Sequence, residues 1–315
     1  MVAGKKQFDD FRKDHEVKRK SLFFGLLGLF IFFGILLGSI AWVSSIKSKK
    51  TIISLGNKIG VIEVRGVIAN SKPILNTLDE YRKNSSIKGI LLRIESPGGG
   101  VGPSQEIYRE VVRVSKTKPV LASLGGIAAS GGYYIAAGAK KIVANPGTLT
   151  GSIGVIINFG NFTELFKKIG YKPITIKSGK FKDIGNPGRE MKPEEKEYLE
   201  KLVKNVHEQF VNDVARGRKL PVEKVKNIAD GRIFTGQQAK ELGLVDELGN
   251  FQDAVKELAK MAKIKGEPKL VYPTPKRRGV IDILFDSEVK EWFREQFEGY
   301  LMPLRYQFIL PNVND

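Results

Sequence analysis

Hydrophobic positions divide the chain into a long apolar run near the N-terminus, a central alternation of short segments, and an aromatic tail. The run from Leu22 to Val43 reads LFFGLLGLFIFFGILLGSIAWV and carries no charge. At about 1.5 Å per residue, a helix of this length crosses the roughly 30 Å hydrocarbon layer of a membrane. A cleaved signal peptide is the alternative, but its apolar region usually spans only about 7–15 residues. We therefore expect an uncleaved transmembrane anchor, with Trp42 at the interface.

The basic residues that flank this run predict its orientation. Lys18, Arg19 and Lys20 precede it directly, and further lysines and arginines lie towards the N-terminus. An excess of positive charge marks the cytoplasmic side of a membrane span. We therefore expect a cytoplasmic basic tail at 1–21 and a single-pass membrane anchor at 22–43. A linker at 44–56 then leads to an extracytoplasmic domain.

From Lys58 onwards, short apolar segments alternate with segments of helical periodicity. Strands are predicted at KIGVIEVRGVI, IKGILLRIE and KPVLASLGG, and shorter ones at KKIVANP, GSIGVIINFG and KPITIKSG. Helices are predicted at ILNTLDEYRKN, after the glycine loop in SPGGGVGPSQEIYREVVRVSK, and at FTELFKKIG. The second strand is apolar enough to be buried on both faces of a sheet. Repeated strand–helix units indicate an α/β layered fold with mainly parallel strands and right-handed crossovers.

The last third of the chain contains two segments whose sequence patterns differ from the strand–helix alternation before them. Residues 193–217 carry an apolar face at helical spacing, which predicts one long helix. We place the end of the domain, 57–272, before the two prolines of YPTPKRR. The tail at 273–315 is expected to contain a helix whose aromatic residues pack on the domain, a neighbouring subunit or the membrane. These aromatic residues are Trp292, Phe293 and Phe297.

Composition narrows the chemistry. The chain has 315 residues and no cysteine, which excludes disulfides, thiolate metal sites and cysteine nucleophiles. Its net charge of +18 is compatible with binding to nucleic acid, with binding to an anionic membrane, or with a charged surface that keeps the protein in solution. The lysines are interspersed with acids, as in MKPEEKEYLEKLVK, and neither zinc-finger spacing nor aromatic–basic interleaving is present. We therefore predict no nucleic-acid partner.

A serine among small residues is the main candidate for chemistry. Ser130 stands in SLGGIAASGGYYIAAGA, where a strand is expected to turn into a helix. It could be a plain helix N-cap or a nucleophile held at a sharp turn. A Ser-His-acid site needs a histidine, but His15 precedes the anchor and His207 lies in a charged helical segment. A hydrolase would therefore need the Ser–Lys variant.

The residues leave the choice of lysine open. Lys177, Lys180 and Lys182 crowd one loop, TIKSGKFKDIG, and a lysine acts as a base only in its neutral form. The segment ESPGGGVG lies between a buried strand and a helix, where free amides stabilise negative charge. Phosphate binding is the rival interpretation, but the GK[ST] of a P-loop is missing.

Four blocks, found in order within about residues 58–265, resemble the signal peptide peptidase A family. They are LLRIESPGGGV, PVLASLGGIAASGGYYIAAGAKKIVANPGTLTGSIGVI, IKSGKFKDIGNPGREM and DGRIFTGQQAKELGLVDELG. The resemblance implies a short, single-domain form of these membrane-anchored bacterial Ser–Lys peptidases, with a Clp protease/crotonase-like fold. It implies Ser130 as nucleophile, Lys182 as general base, Ser152 as the hydroxyl that orients the lysine amine, and Gly98 and Gly99 as oxyanion-hole residues. It implies no metal and no cofactor.

The same resemblance implies partners. Remnant signal peptides and other apolar, membrane-derived peptides would be substrates, and a homo-oligomer would complete each site between neighbours. Three alternatives remain: a peptidase that cleaves a dedicated membrane-protein partner, a crotonase-like acyl-CoA enzyme, and a membrane scaffold without activity. We also consider that the end of the tail, YQFILPNVND, occupies the cleft of its own or a neighbouring chain.

Overall fold

A mixed β-sheet forms the centre of the protein in a computed structural model that describes residues 32, 34–35, 57–273 and 305–307. The strands of this sheet are β1 (Lys58–Ile68), β2 (Ile87–Gly100), β3 (Val120–Ala129), β4 (Lys141–Ala144), β5 (Leu149–Gly151), β6 (Ile233–Thr235), β7 (Glu247–Leu248), β8 (Lys269–Val271) and β9 (Arg305–Gln307). The helices within 57–273 are α1 (Lys72–Lys83), α2 (Val101–Ser115), α3 (Gly131–Ala137), α4 (Thr163–Lys168), α5 (Pro193–Arg218), α6 (Val222–Lys226), α7 (Gly236–Glu241) and α8 (Phe251–Met261).

The strand order confirms the predicted α/β class with mainly parallel strands. The main path runs β6-β5-β3-β2-β1-β8, with β4 between β3 and β7, and β9 beside β2. Within the described residues, the β5–β6 and β2–β9 pairs are antiparallel and the other pairs are parallel. Helices α1 and α2 connect β1 to β2 and β2 to β3, as parallel neighbours require.

The central strands are buried on both faces, which explains their nearly continuous apolar sequences. On one face, Leu91 and Leu121 contact the apolar side of α8. On the other face, Ile94 and Leu124 join a larger core that includes apolar residues of α1, α2, α3 and α5. At the contact between α5 and α3, a Cβ at Gly217 would lie only 2.0 Å from the carbonyl oxygen of Ala137. Glycine therefore allows α5 to approach the short helix that begins after Ser130.

Two predicted strands are wrong. In GSIGVIINFG, β5 ends at Gly151, and the remaining residues contribute only an isolated bridge at 156. The segment KPITIKSG forms no strand, and Ile174 and Ile176 are 89% and 96% exposed. A strand needs a partner edge as well as an alternating pattern, and the described residues offer none to this segment. The predicted glycine loop SPGGG is also part of a strand, since β2 continues to Gly100.

The predicted anchor, 22–43, lies outside the described residues except for three helical positions at 32, 34 and 35. Among the residues that are described, no helix is long and apolar enough to span a membrane. The predicted helix with Trp292, Phe293 and Phe297 also lies outside the described residues. In the tail, the structure describes β9 alone beyond residue 273.

Candidate active site

Ser130 occupies a sharp turn between β3 and α3. Its backbone has φ 53° and ψ −116°, and the turn is held by two hydrogen bonds. The Ser130 N–H donates to the Gly151 carbonyl at 2.8 Å, and the Ser130 carbonyl accepts from the Tyr134 N–H at 2.8 Å. Ser130 is the N-cap residue of α3, but its side chain makes no capping hydrogen bond, so capping does not account for a serine at this position. A backbone conformation of this kind costs roughly 1–3 kcal/mol and is often found at functional sites.

Positive φ angles mark both predicted serines. Four non-glycine residues in the described part of the chain have a positive φ. Two of them, Lys219 and Lys263, follow the ends of α5 and α8, where left-handed residues are common. The other two are Ser130 and Ser152, the latter with φ 49°. Helix termination does not explain the strain at the serines.

Strand register places Ser152 beside Ser130. Ala129 pairs with Gly151 in the parallel β3–β5 ladder, so each serine lies one residue beyond the last pair. The Ser152 N–H donates to the Arg232 carbonyl at 2.9 Å, which fixes its backbone from the other side. Two serines that are distant in sequence therefore form one small polar site at the end of the sheet.

The hydroxyl groups of these two serines differ from those of the other buried serines in residues 57–273. Ser130 is 1% and Ser152 is 7% exposed. Within residues 57–273, neither hydroxyl donates or accepts a hydrogen bond. The other buried serines in this range all have a partner. They are Ser71, Ser96, Ser104, Ser115 and Ser123.

Glu95 supports the strand that leads to Ser130, and the sequence interpretation missed it. The register between β2 and β3 shifts between Ile94 and Ser96. At this irregularity the Glu95 carboxylate accepts the N–H groups of Gly126 and Ile127, each at 3.1 Å. A Cβ at Gly125 would lie 1.7 Å from a Glu95 oxygen, so glycine makes room for the carboxylate. The sequence does contain a hint of this role, since Glu95 is an acidic residue at the end of an apolar strand, directly before SPGGG.

The predicted oxyanion glycines differ in their contacts. The Gly98 N–H donates to the hydroxyl of Ser96 at 3.1 Å, so it is already engaged. Gly99 packs against β1, where a Cβ would lie 2.4 Å from the carbonyl oxygen of Ile68. A further donor that the sequence interpretation missed is the Gly131 N–H. It directly follows Ser130 and opens α3, where an α-helix supplies no acceptor for its first amides.

The tail segment β9 lies along these same glycines. It adds an antiparallel strand beside the end of β2. The paired residues are Gly98 with Gln307, Gly99 with Tyr306, and Gly100 with Arg305. The edge of the sheet next to Ser130 therefore accepts an extended peptide.

Lys182 lies in an exposed turn, and its backbone N–H donates to the Gly179 carbonyl at 3.1 Å. Within the described part of the chain, no hydrogen bond joins it to Ser130 or Ser152. Its two neighbouring lysines form ion pairs, Lys177 with Asp183 and Lys180 with Glu194. Of the three lysines in this loop, Lys182 alone has no carboxylate partner among the described residues.

Acidic residues near this loop are held in their charged forms. Hydrogen bonds from Arg189 and then Lys177 hold the pKa of Asp183 well below its usual range. Hydrogen bonds from Arg189 and from the Lys192 backbone lower the pKa of Glu195 from 4.5 to about 2. Both carboxylates therefore remain charged at neutral pH and can anchor the loop.

Comparison with known proteins identifies relatives of the whole domain. Residues 113–265, which include Ser130, Ser152 and Lys182, match peptidase family S49, and residues 43–148 match Clp protease. A chain from Synechocystis sp. named as a protease is 51% identical over 203 residues, or 64% of this chain and 73% of that one. One from Methanocaldococcus jannaschii, also named as a protease, is 36% identical over 282 residues (84% and 91%). A chain named as signal peptide peptidase SppA in Enterococcus faecium is 37% identical over 249 residues (75% and 72%).

Glycine and alanine at position 130 test the backbone strain. Glycine adopts a positive φ without a Cβ penalty, so we expect Ser130→Gly to unfold with a free energy about 1 kcal/mol higher than Ser130→Ala. Chemical denaturation of the purified chain measures this difference. Ser123, buried in the middle of β3, is the matched control, and glycine should be the less stable variant there. If alanine is equal to or better than glycine at 130, the turn is not strained.

Proposed function

Because this chain belongs to peptidase family S49 and is a serine peptidase, we propose that it hydrolyses peptide bonds with a Ser–Lys dyad of Ser130 and Lys182. One observation carries the assignment of the nucleophile. Ser130 is a buried serine on a strained turn whose hydroxyl has no partner in residues 57–273, whereas the other buried serines there are hydrogen-bonded, apart from its neighbour Ser152. Membership of this family favours peptide hydrolysis over the acyl-CoA and scaffold alternatives.

The proposed reaction uses Lys182 as general base and then as general acid. The neutral amine takes the proton of the Ser130 hydroxyl as the oxygen attacks the peptide carbonyl carbon. Backbone amides stabilise the negative carbonyl oxygen, and we assign this role to those of Gly99 and Gly131. The C–N bond breaks, Lys182 donates its proton to the leaving amine, and water then hydrolyses the acyl-enzyme. Ser152 orients the amine of Lys182 in this scheme. Gly98 contributes as a donor only if its N–H leaves Ser96.

The contacts in the loop favour Lys182 over the neighbouring lysines. An amine that is held by a carboxylate is favoured in its charged form, which cannot accept a proton. Lys177 and Lys180 are both held in this way, by Asp183 and Glu194. Lys182 is the lysine of this loop that is left to act as a base.

We propose that a homo-oligomer completes the dyad, with Lys182 supplied by a neighbouring subunit. Lys182 is exposed and not bonded to Ser130 in the described chain. The segment before it exposes apolar side chains that a single copy leaves uncovered, and such surfaces mark interfaces. These side chains are Leu165, Ile169, Tyr171, Ile174 and Ile176. The unpaired segment KPITIKSG is also free to gain a strand partner from another copy.

Extended apolar peptides are the proposed substrates. The pairing of β9 with Gly98–Gly100 supports binding by strand addition, in which backbone hydrogen bonds hold a peptide beside the nucleophile. Remnant signal peptides and other membrane-derived peptides have this chemistry. We propose that residues 22–43 anchor the chain in the inner membrane with the N-terminus cytoplasmic. The peptidase domain, 57–272, would then meet such peptides on the extracytoplasmic side.

Lysine variants test the dyad. We expect Ser130→Ala and Lys182→Ala to lose activity on an apolar signal-peptide substrate by about a thousandfold or more, because each removes one half of the nucleophilic unit. Lys180→Ala is the matched control and should keep most of the wild-type kcat/KM. Cleavage is followed by mass spectrometry, and folding by circular dichroism. An active, folded Lys182→Ala chain would overturn the base assignment.

Mixing the two inactive variants tests whether the site is shared. If neighbours complete the dyad, co-expressed Ser130→Ala and Lys182→Ala chains should recover about a quarter of wild-type activity, because random assembly pairs an intact serine with an intact lysine at that frequency. Each variant expressed alone is the control. If the co-expressed chains stay inactive although they assemble together, the dyad lies within one chain.

Removal of the tail tests its position in the groove. A chain that ends at residue 300 lacks β9, so the edge of β2 is open to substrate. We expect kcat/KM for peptide cleavage to rise severalfold, mainly through a lower KM. An unchanged KM would show that residues 305–307 do not compete with the substrate.

A further inference from the structure

Arg189 ties the turn that carries Lys182 to a buried carboxylate. Its Nε donates to the Asp183 side chain at 2.9 Å, and its Nη2 donates to the Asp183 carbonyl at 3.1 Å. Its two Nη atoms also bind Glu195 in a forked pair, at 2.8 and 2.6 Å. Glu195 is 1% exposed at the start of α5 and accepts the Lys192 N–H at 3.0 Å. One guanidinium therefore connects both backbone and side chain of Asp183 to the long helix.

This connection matters because the turn has few other contacts with α5 in the described part of the chain. Residues 180–185 form successive turns, so the sheet does not hold them. Two other contacts reach α5: Phe181 stacks on Tyr198 at 5.3 Å, and Lys180 pairs with Glu194. Both involve exposed side chains, which give weak and mobile contacts. A forked arginine–carboxylate pair is stronger and more directional.

The same guanidinium controls the charge beside Lys182. Asp183 directly follows Lys182, and its carboxylate is shared by Arg189 and Lys177. The other charged groups around the turn, Lys180 and Glu194, pair with each other. Without Arg189, Lys177 is the one cation of these described ion pairs left to balance both Asp183 and Glu195, so the turn gains a net negative charge. An uncompensated carboxylate favours the charged form of a nearby amine, and a charged amine is not a base.

We propose that Arg189 is a positioning residue for the general base, which holds the Lys182 turn on α5 and neutralises Asp183 beside it. The proposal rests on the proposed function of Lys182. It assigns to Arg189 a role in the orientation and charge of the base, without contact with the substrate.

Kinetics of Arg189 variants in the full chain test this role. We expect Arg189→Met to lower kcat about tenfold to a hundredfold with little change in KM, because a misplaced base affects the chemical step rather than binding. In the pH dependence of kcat/KM, the acidic limb should move to higher pH, because the charged form of Lys182 is then favoured. Arg189→Lys restores the positive charge but lacks the fork. It should return the limb towards its wild-type position and recover only part of kcat.

A double variant separates the two proposed roles of Arg189, which are to balance the charge of Asp183 and to position the Lys182 turn. Asp183→Asn in the Arg189→Met background removes the carboxylate beside Lys182 and leaves Lys177 to balance Glu195, so the acidic limb should return towards its wild-type position while kcat stays low. Arg113→Met is the matched control, since Arg113 makes an exposed ion pair with Glu110 within α2. Its kcat and pH profile should equal those of the wild type.

The outcomes distinguish this proposal from the proposed function. If Lys182→Ala is active, the assignment of the base fails, and the role of Arg189 fails with it. If Lys182→Ala is inactive but Arg189→Met has wild-type kcat, the positioning role alone is overturned. A lower kcat with an unmoved limb would show a merely structural contact. If Arg189→Met does not fold, Arg189→Lys decides: a full wild-type kcat would overturn the need for the fork.

Discussion

Backbone pairing between β3 and β5 is the constraint on which the candidate site depends. The ladder ends at Ala129 and Gly151, and the chain turns sharply on both strands immediately afterwards. Ser130 and Ser152 are forced into positive φ at these turns, and neither hydroxyl forms a hydrogen bond within residues 57–273. Such backbone strain is tolerated only where the surrounding structure is strongly stabilised. Here the central strands are covered by apolar side chains on both faces.

Side chains complete the hydrogen bonding of β3 where its register is irregular. Glu95 accepts two of its N–H groups, Thr148 donates to the Gly125 carbonyl at 2.7 Å, and Thr150 donates to the Ala128 carbonyl at 2.7 Å. The strand that leads to the nucleophile is thereby satisfied without regular pairing along its whole length. The loop of Lys182 is built differently, since ion pairs rather than a sheet hold it. A rigid turn for the proposed nucleophile and an exposed loop for the proposed base suit the proposed completion of the site by a neighbouring subunit.

The central strands and the long helix were predictable because the apolar residues that they bury are visible in their own sequences. Strands β1 to β3 are apolar at nearly every position, and α5 shows a clear helical period. The segment KPITIKSG shows the limit of this reasoning. Its alternating residues fit a strand, yet no edge of the described sheet is beside it, and Ile174 and Ile176 face solvent. An alternating sequence shows that a segment can form a strand. Whether it does so depends on a neighbouring strand edge that can accept its backbone hydrogen bonds.

The sequence by itself determined the class of fold and narrowed the chemistry. The chain has no cysteine, and Ser130 lies among small residues at an expected turn. Because no histidine is well placed to act as its base, a serine hydrolase would need a lysine as the base. Only the tertiary structure showed that the Ser130 side chain makes no capping hydrogen bond, that Ser152 lies beside it, and that Lys182 has no carboxylate partner among the described residues. Only the structure identified Glu95 and Arg189. The reason is physical: hydrogen-bond satisfaction, strand register and charge compensation belong to pairs of groups that folding brings together, and no single stretch of sequence contains both partners.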